Sequence, residues 1–391
     1  MNIDEAKRLV IKAGLKLVES GLIARTWGNV SCRIDDDFFV ITPSGRDYLS
    51  LTPDEIVAVR VSDCSYNGNI KPSSEKGIHA EVYKLYTDIN FVIHTHQENA
   101  SVISAAGLDS MITDDAPDCL GGEVICAAYA LSGTEELKEN ISNALKHSKG
   151  KAVIMKNHGT ICLGKDYDEA FLVASELEIA CHNYIIRQYF KLSGKGSYNY
   201  DEMSDFALSL HCDGKKANKG FWYNYPNSKR TDNGFILYYD SVEKEIQCDE
   251  IELALTEETE INNAIYNKYK DINYINYKTT PEIKAICRYG IEISPLLDDF
   301  AQIAGIVVKN IENDPVKIAQ ALENSSAVLV KNRGALCCGK TKEDAIAIGM
   351  IIQKNCKAYI GASLFGKIKP INSSECIFMR NIYISEYSKL L

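Results

Sequence analysis

Nowhere in these 391 residues does an uninterrupted apolar run approach the ~20 that a membrane helix needs, so a helical membrane protein is excluded. Proline is scarce, at nine residues, and the composition is not that of a collagen-like or disordered chain. The 13 cysteines contain no CxxC pair; their odd number, in a chain long enough to bury its own cores, excludes a disulfide-stapled scaffold and fits a reduced, cytoplasmic setting. No basic stretch leads into an apolar one at MNIDEAKRLV, so no secretory leader is read there. Positive charge is also in deficit. Lys and Arg number 43 against 53 Asp and Glu, a formal net charge of −10, which argues against nucleic acid as the main partner. What remains is an ordinary soluble composition, 46 % hydrophobic and 25 % charged, at a length that predicts two domains.

The two domains are copies of each other. Ala152–Ala170 (AVIMKNHGTICLGKDYDEA) aligns without gaps on Ala327–Ala345 (AVLVKNRGALCCGKTKEDA), with nine of nineteen positions identical. Glu75–Phe91 matches Glu258–Tyr274 in the same order at nearly the same offset. A period this long predicts complete domains rather than a solenoid. The expected division is residues 1–195, a Gly-, Ser- and Lys-rich linker at 196–217, and a second copy at 218–391 whose opening helix is trimmed or lost.

Within the first copy the spacing predicts a helix over Asp4–Glu19, a strand at Phe38–Ile41, and a helix opened by the capping box Thr52-Pro53-Asp54-Glu55. A further helix is striped by Ile78, Val82 and Leu85; buried strands follow at Phe91-Val92-Ile93 and Ala152–Met155, and a long helix at Tyr167–Tyr189. Strands and helices mix without a strict βαβ rhythm. The fold class is therefore α/β, with a central, largely antiparallel sheet flanked by helices in each of two tandem copies.

The strongest chemical signal is His94-Thr95-His96, because residues i and i+2 of a strand share a face. His158 follows another buried strand and supplies a third imidazole; three neutral imidazoles with one open position describe a catalytic zinc site. The second copy is an internal control. It places Tyr277, Thr279 and Arg333 where the first has His94, His96 and His158, yet keeps the surrounding residues. The three histidines thus read as one functional unit. Glu75, just after Ser73-Ser74 at a helix N-terminus, is positioned as ligand or general base, with His79 one turn later on its face. Gly28-Asn29-Val30-Ser31 and Thr42-Pro43-Ser44-Gly45 read as small-residue turns able to present N–H groups to a phosphate. Gly334–Thr341 matches the P-loop expression but is set aside, since Leu336-Cys337-Cys338 reads as strand and the counterpart in the first copy ends on Asp166.

The motifs GNVS, TPSG, PSSE, HTH and KNHG, in this order, resemble those of the class II aldolase/adducin family over residues 1–195, with a degenerate echo over about 218–391. The resemblance implies an α/β/α sandwich and one Zn2+ per chain, or another divalent ion, held by His94, His96 and His158. It also implies Glu75 as acid/base and possible fourth ligand, and a phosphorylated sugar held by Gly28, Asn29, Ser44, Gly45, Ser73 and Ser74. The implied reaction cleaves a ketose 1-phosphate into dihydroxyacetone phosphate and an aldehyde through a metal-stabilised enediolate. A pentulose-phosphate 4-epimerase or dehydratase, or a non-catalytic adducin-like interaction module, are the alternatives. Glutamate at position 75 resembles the aldolases, whereas Asp118 falls where the epimerases place an acidic catalytic residue. Trp27 stands where the family has a small residue. Single-domain family members form fourfold rings with sites at subunit interfaces, which implies a homo-oligomer here: a pseudo-fourfold dimer of two chains is favoured, and a tetramer of first-copy rings with the second copy appended is the alternative. Neither membrane nor nucleic acid is expected as a partner.

Overall fold

The structure, a computed structural model, describes residues 1–22, 28–113, 116–211, 217, 222–239, 242–247 and 256–387; Trp27 and parts of the expected linker and second copy lie outside the described residues. Contacts divide the chain into Met1–Gln188, together with a C-terminal segment from Ile384, and Tyr189–Tyr383.

The first unit runs α1 (Ile3–Glu19), β1 (Asn29–Arg33), β2 (Phe38–Ile41), β3 (Val57–Arg60), α2 (Lys76–Leu85), β4 (Phe91–Thr95), α3 (Glu98–Ala105), β5 (Ser110–Ile112), β6 (Glu123–Ala127), α4 (Glu135–His147), β7 (Ala152–Met155), β8 (Thr160–Gly164) and α5 (Tyr167–Ser193). Its eight strands form one sheet in the order β3-β2-β1-β4-β8-β7-β6-β5, in which only β6 and β7 pair in parallel. Strand alternation sends Phe39, Ile41, Val57, Val59, Val92, Val153 and Ile161 to one face, where they pack under Ile78 and Val82 of α2 and Leu137 and Ile141 of α4. On the opposite face α1 packs against β1 and β2, α3 packs against β7, and Phe91 meets Tyr167 of α5 edge-on at 5.8 Å. Fully burying side chains of this size contributes about 1.5–3 kcal/mol each. This is the expected α/β/α sandwich around a largely antiparallel sheet.

The second unit repeats it: α6 (Tyr200–Ser209), β9 (Asn227–Thr231), β10 (Gly234–Tyr238), β11 (Glu243–Gln247), α7 (Glu257–Lys268), β12 (Tyr274–Lys278), α8 (Pro281–Tyr289), α9 (Asp298–Ile303), β13 (Asn310–Ile311), α10 (Pro315–Ala321), β14 (Ala327–Val330), β15 (Gly334–Gly339), α11 (Lys342–Ala362) and α12 (Ser373–Ile382). Its sheet order is β11-β10-β9-β12-β15-β14-β13. The register reproduces the sequence alignment: His94 faces Ile161 across β4 and β8, and Tyr277 faces Leu336 across β12 and β15. Here α6 packs against α8 and α11, whereas α1 of the first unit packs against β1 and β2. Gly334–Gly339 is buried strand throughout, not an anion-cradling loop.

Two local expectations are corrected. The Thr52 capping box closes, with the Thr52 N–H donating to Glu55 Oε2 at 2.9 Å, but only a 3-10 turn at Pro53–Glu55 follows. Val57 and Val59 alternate into the core and pair with β2, so the strand wins over helix propagation. Asn29-Val30-Ser31 is not a turn. It is the start of β1, buried between β2 and β4, and Asn29 is the register partner of His94.

Candidate metal centre

Strand alternation turns His94 toward the α2 face at the end of β4, where it is buried beside Asn29 of β1 and Ile161 of β8. Its Nδ1 lies 2.8 Å from the Thr160 carbonyl oxygen, which can only accept. Nδ1 therefore carries the proton, and the Nε2 lone pair points into the site. His96, just beyond the strand, brings its Nε2 to 2.9 Å from that of His94, and His158, in the turn between β7 and β8, brings its own to 3.3 Å. One nitrogen from each ring lies within 4.8 Å of the others. Burial pushes His94 well below the ordinary imidazole range, against an upward pull from Glu75, so its lone pair stays available. The three Nε2 atoms converge at a range at which one divalent cation can replace the protons they now share with one another and with Glu75. The donor set fits a borderline divalent metal of the zinc kind. Gly159 makes the approach possible, since a Cβ there would meet the Thr95 carbonyl oxygen at 2.4 Å and His94 Cε1 at 2.9 Å.

Glu75 faces the same point. It occupies the N-cap of α2. Its Oε2 is 3.2 Å from His94 Nε2 and its Oε1 is 2.8 Å from His158 Nε2. Asn29 Nδ2 donates to Oε2 at 2.7 Å, and Ser132 Oγ donates to Oε1 at 3.2 Å. Burial raises this carboxyl, but the three imidazoles outweigh it and hold the group well below the usual carboxylate range. Glu75 is thus an ionised carboxylate at the mouth of a three-imidazole cluster. Behind it, Asn29 Oδ1 bonds His79 Nε2, His79 Nδ1 lies 2.6 Å from Ser31 Oγ, and Ser31 Oγ lies 2.7 Å from the Tyr83 hydroxyl.

Most residues expected to hold a phosphate come together beside this cluster. The Ser73 N–H donates to the Thr42 carbonyl and the Ser44 N–H to that of Lys71, each at 3.0 Å, lacing the TPSG and PSSE loops to each other. Thr42 in turn accepts from the Val30 N–H at 3.2 Å, and the Tyr48 hydroxyl donates to the Gly28 carbonyl at 2.8 Å. Ser44 and Gly45 are half-buried and Ser74 is exposed, whereas Ser73 Oγ accepts from the Glu75 N–H at 3.2 Å. The Asn29 side chain is engaged by Glu75 and His79. Asp118 is not brought in. It is exposed in a turn whose Cys119 carbonyl accepts from the Lys151 N–H at 2.8 Å, at the start of β7, whereas His158 follows the end of β7.

In the second copy the same place is closed with protein groups. The Tyr277 hydroxyl donates to the Arg333 carbonyl, and the Arg333 guanidinium donates to both Glu257 oxygens at 3.1 and 3.2 Å and lies 4.9 Å over the Tyr223 ring. A guanidinium cannot ligate a metal. One shared feature went unread in the sequence. Arg33 donates to the carbonyls of Ile89, Tyr83 and Tyr86 at 3.0, 2.7 and 2.6 Å, and Arg230 repeats these bonds to Ile272, Tyr266 and Tyr269 at 2.8, 2.9 and 2.6 Å. The signal was present as an arginine at the equivalent strand end of each copy.

Among the described residues no helix is long and apolar enough to cross a membrane. Over 185 residues the chain is 30 % identical to the 5-deoxy-D-ribulose 1-phosphate aldolase of Bacillus thuringiensis, covering 47 % of this chain and 86 % of that protein. Over 186 residues it is 32 % identical to the L-fuculose phosphate aldolase of Escherichia coli, covering 47 % and 85 %. A solved structure of an L-fuculose 1-phosphate aldolase aligns with a TM-score of 0.44 at 29 % identity, covering 51 % of this chain and 92 % of its own. The family model of the class II aldolase and adducin N-terminal domain matches residues 8–185 and again residues 230–360. With most of its length matched, and matched twice in tandem, the chain belongs to the class II aldolase and adducin N-terminal domain family.

Proposed function

We propose that the first copy is a zinc-dependent sugar-phosphate aldolase, cleaving a ketose 1-phosphate between C3 and C4 into dihydroxyacetone phosphate and an aldehyde. The observation that carries this reading is the convergence of the His94, His96 and His158 Nε2 atoms opposite an ionised, buried Glu75. The relatives named as 5-deoxy-D-ribulose 1-phosphate and L-fuculose phosphate aldolases support the same chemistry. His94, His96 and His158 would hold the divalent cation, which would supply Lewis acidity toward the ketone oxygen.

The remaining work falls to the chain's own groups. Cleavage needs the C4 hydroxyl proton removed and a proton returned to C3. Glu75 would carry it, and Asn29 Nδ2 and Ser132 Oγ, which both donate to its carboxylate, support this role by fixing its orientation. The laced loops bearing Gly28, Ser44, Gly45, Ser73 and Ser74 would anchor the phosphate next to Glu75, fixing the sugar's reacting carbons against it. Glutamate rather than aspartate at position 75 favours the aldolase over the epimerase. The reading extends to assembly: the second copy keeps its fold and loses its ligands, the pattern expected if it replaces alternate subunits of a ring built from two chains.

Two measurements test the proposal. Protein purified without chelator should carry close to one zinc or similar divalent ion per chain, and less than about 0.2 would refute it. Incubation with a panel of ketose phosphates should release dihydroxyacetone phosphate from at least one; accumulation of a 4-epimer without cleavage would replace the aldolase with an epimerase.

A further inference from the structure

The turn that carries His158 is not held by its own strands alone. Ser104, fully buried on α3, donates its hydroxyl to the Met155 carbonyl at 2.7 Å and accepts from the His158 N–H at 3.1 Å. Its backbone carbonyl accepts from the Asn157 N–H, also at 3.1 Å. One residue thus grips the turn at three successive places around Asn157, whose φ is +58°. The same helix begins immediately after His96, with Gln97 at its N-cap and the Gln97 amide donating to the Ala174 carbonyl at 2.7 Å. α3 therefore spans two of the three imidazoles.

The second copy shows what the hydroxyl is for. α8 starts at the equivalent position, and Cys287 occupies the place of Ser104. There Asn332 keeps the left-handed conformation, at φ +54°, and the Arg333 N–H reaches the Val330 carbonyl at 3.0 Å, as the His158 N–H, besides its bond to Ser104, reaches the Met155 carbonyl at 3.1 Å. The Cys287 thiol points elsewhere, 3.9 Å from the Gly334 carbonyl. The turn folds without the serine hydroxyl. The copy that lost the imidazoles lost the hydroxyl with them.

We infer that Ser104 is a positioning residue for the metal centre, clamping the Met155–His158 turn so that the His158 Nε2 meets those of His94 and His96. This rests on the metal reading above. Groups that orient a metal ligand through a second hydrogen bond typically contribute about 10–100-fold in metal affinity. Ser104→Ala should weaken zinc binding by that factor, measured on the full chain by competition with a chromogenic chelator, and should alter the visible absorption of the cobalt-substituted protein. Ser101→Ala is the matched control: its hydroxyl is equally buried on α3 and has no partner among the described residues, so it should leave both readouts unchanged. If Ser104→Ala does not fold, Ser104→Cys installs the residue that folds at this place in the second copy, and the same loss is expected. Zinc affinity within about threefold of wild type, with an unchanged cobalt spectrum, overturns the inference and leaves the metal reading standing. A wild-type protein that takes up neither ion overturns both.

Discussion

Replacing Glu75 with glutamine separates proton transfer from metal binding. The substitution is close to isosteric, and the structure can accommodate it. With the amide oxygen toward Asn29, the 2.7 Å bond from Asn29 Nδ2 survives, and the new NH2 can donate to Ser132 Oγ, 3.2 Å away. The three imidazoles are untouched, so the metal should stay. What is lost is a group able to take up and return a proton, a step that typically contributes ~10²–10⁴-fold. At 1.36 kcal/mol per factor of ten, that loss corresponds to about 3–5 kcal/mol of barrier. The assay is turnover of the ketose 1-phosphate that wild type cleaves fastest, with metal per chain determined on the same preparation. His96→Ala provides the contrast, since it should lose the metal itself. Turnover of Glu75→Gln within about tenfold of wild type, with metal intact, would remove Glu75 from proton transfer. Loss of metal from Glu75→Gln would instead make the carboxylate a ligand.

Burial drives the His79 imidazole down to about 4, against a smaller upward pull from Glu75. The unfolded chain titrates near ~6.5, so the neutral ring's contribution is whole above that pH and is lost as pH falls toward 4, about 3 kcal/mol in all. His79→Asn installs the residue that the second copy has at the matching position, Asn262, and should flatten the apo-protein's stability between these pH values relative to wild type, read from denaturant midpoints; parallel curves would contradict the assignment. Gly159→Ala must push the Thr95 carbonyl and the His94 ring aside, because its Cβ would lie 2.4 and 2.9 Å from them. It should cost about 1–3 kcal/mol of stability and most of the bound metal, and an unchanged Tm with full metal would refute the close approach. Light scattering should give a dimer of about 87 kDa, twice the 43.5 kDa chain. A monomer would refute the pseudo-ring.

Element periods carried most of the fold. The stripe Ile78, Val82, Leu85 became α2, and the apolar runs at Phe91 and Ala152 became the strands that hold His94 and precede His158. Where the reading failed, tertiary pairing outweighed a local signal. The Thr52 capping box was sound chemistry, but one 3-10 turn was all that the pairing of Val57–Arg60 with β2 allowed. GNVS had turn composition, yet its burial between two strands made it β1.

The duplication makes the histidine cluster legible in the sequence, because a second copy that kept the framework and dropped three imidazoles marks those imidazoles by subtraction. Family, sandwich architecture and candidate ligands all followed from the sequence. The support of the site did not. Asn29 reaches Glu75 across 46 positions of sequence, and Ser104 grips His158 across 54. These bonds exist because sheet order sets β1 beside β4, β4 beside β8 and β8 beside β7, and because helix packing lays α3 over β7. Local periodicity decides which face a side chain leaves from. Which distant residue it meets there depends on strand order and register, set by the packing of the whole sheet, and only the tertiary structure decided that Asn29 orients a carboxylate and that Asp118 lies at the other end of β7 from His158.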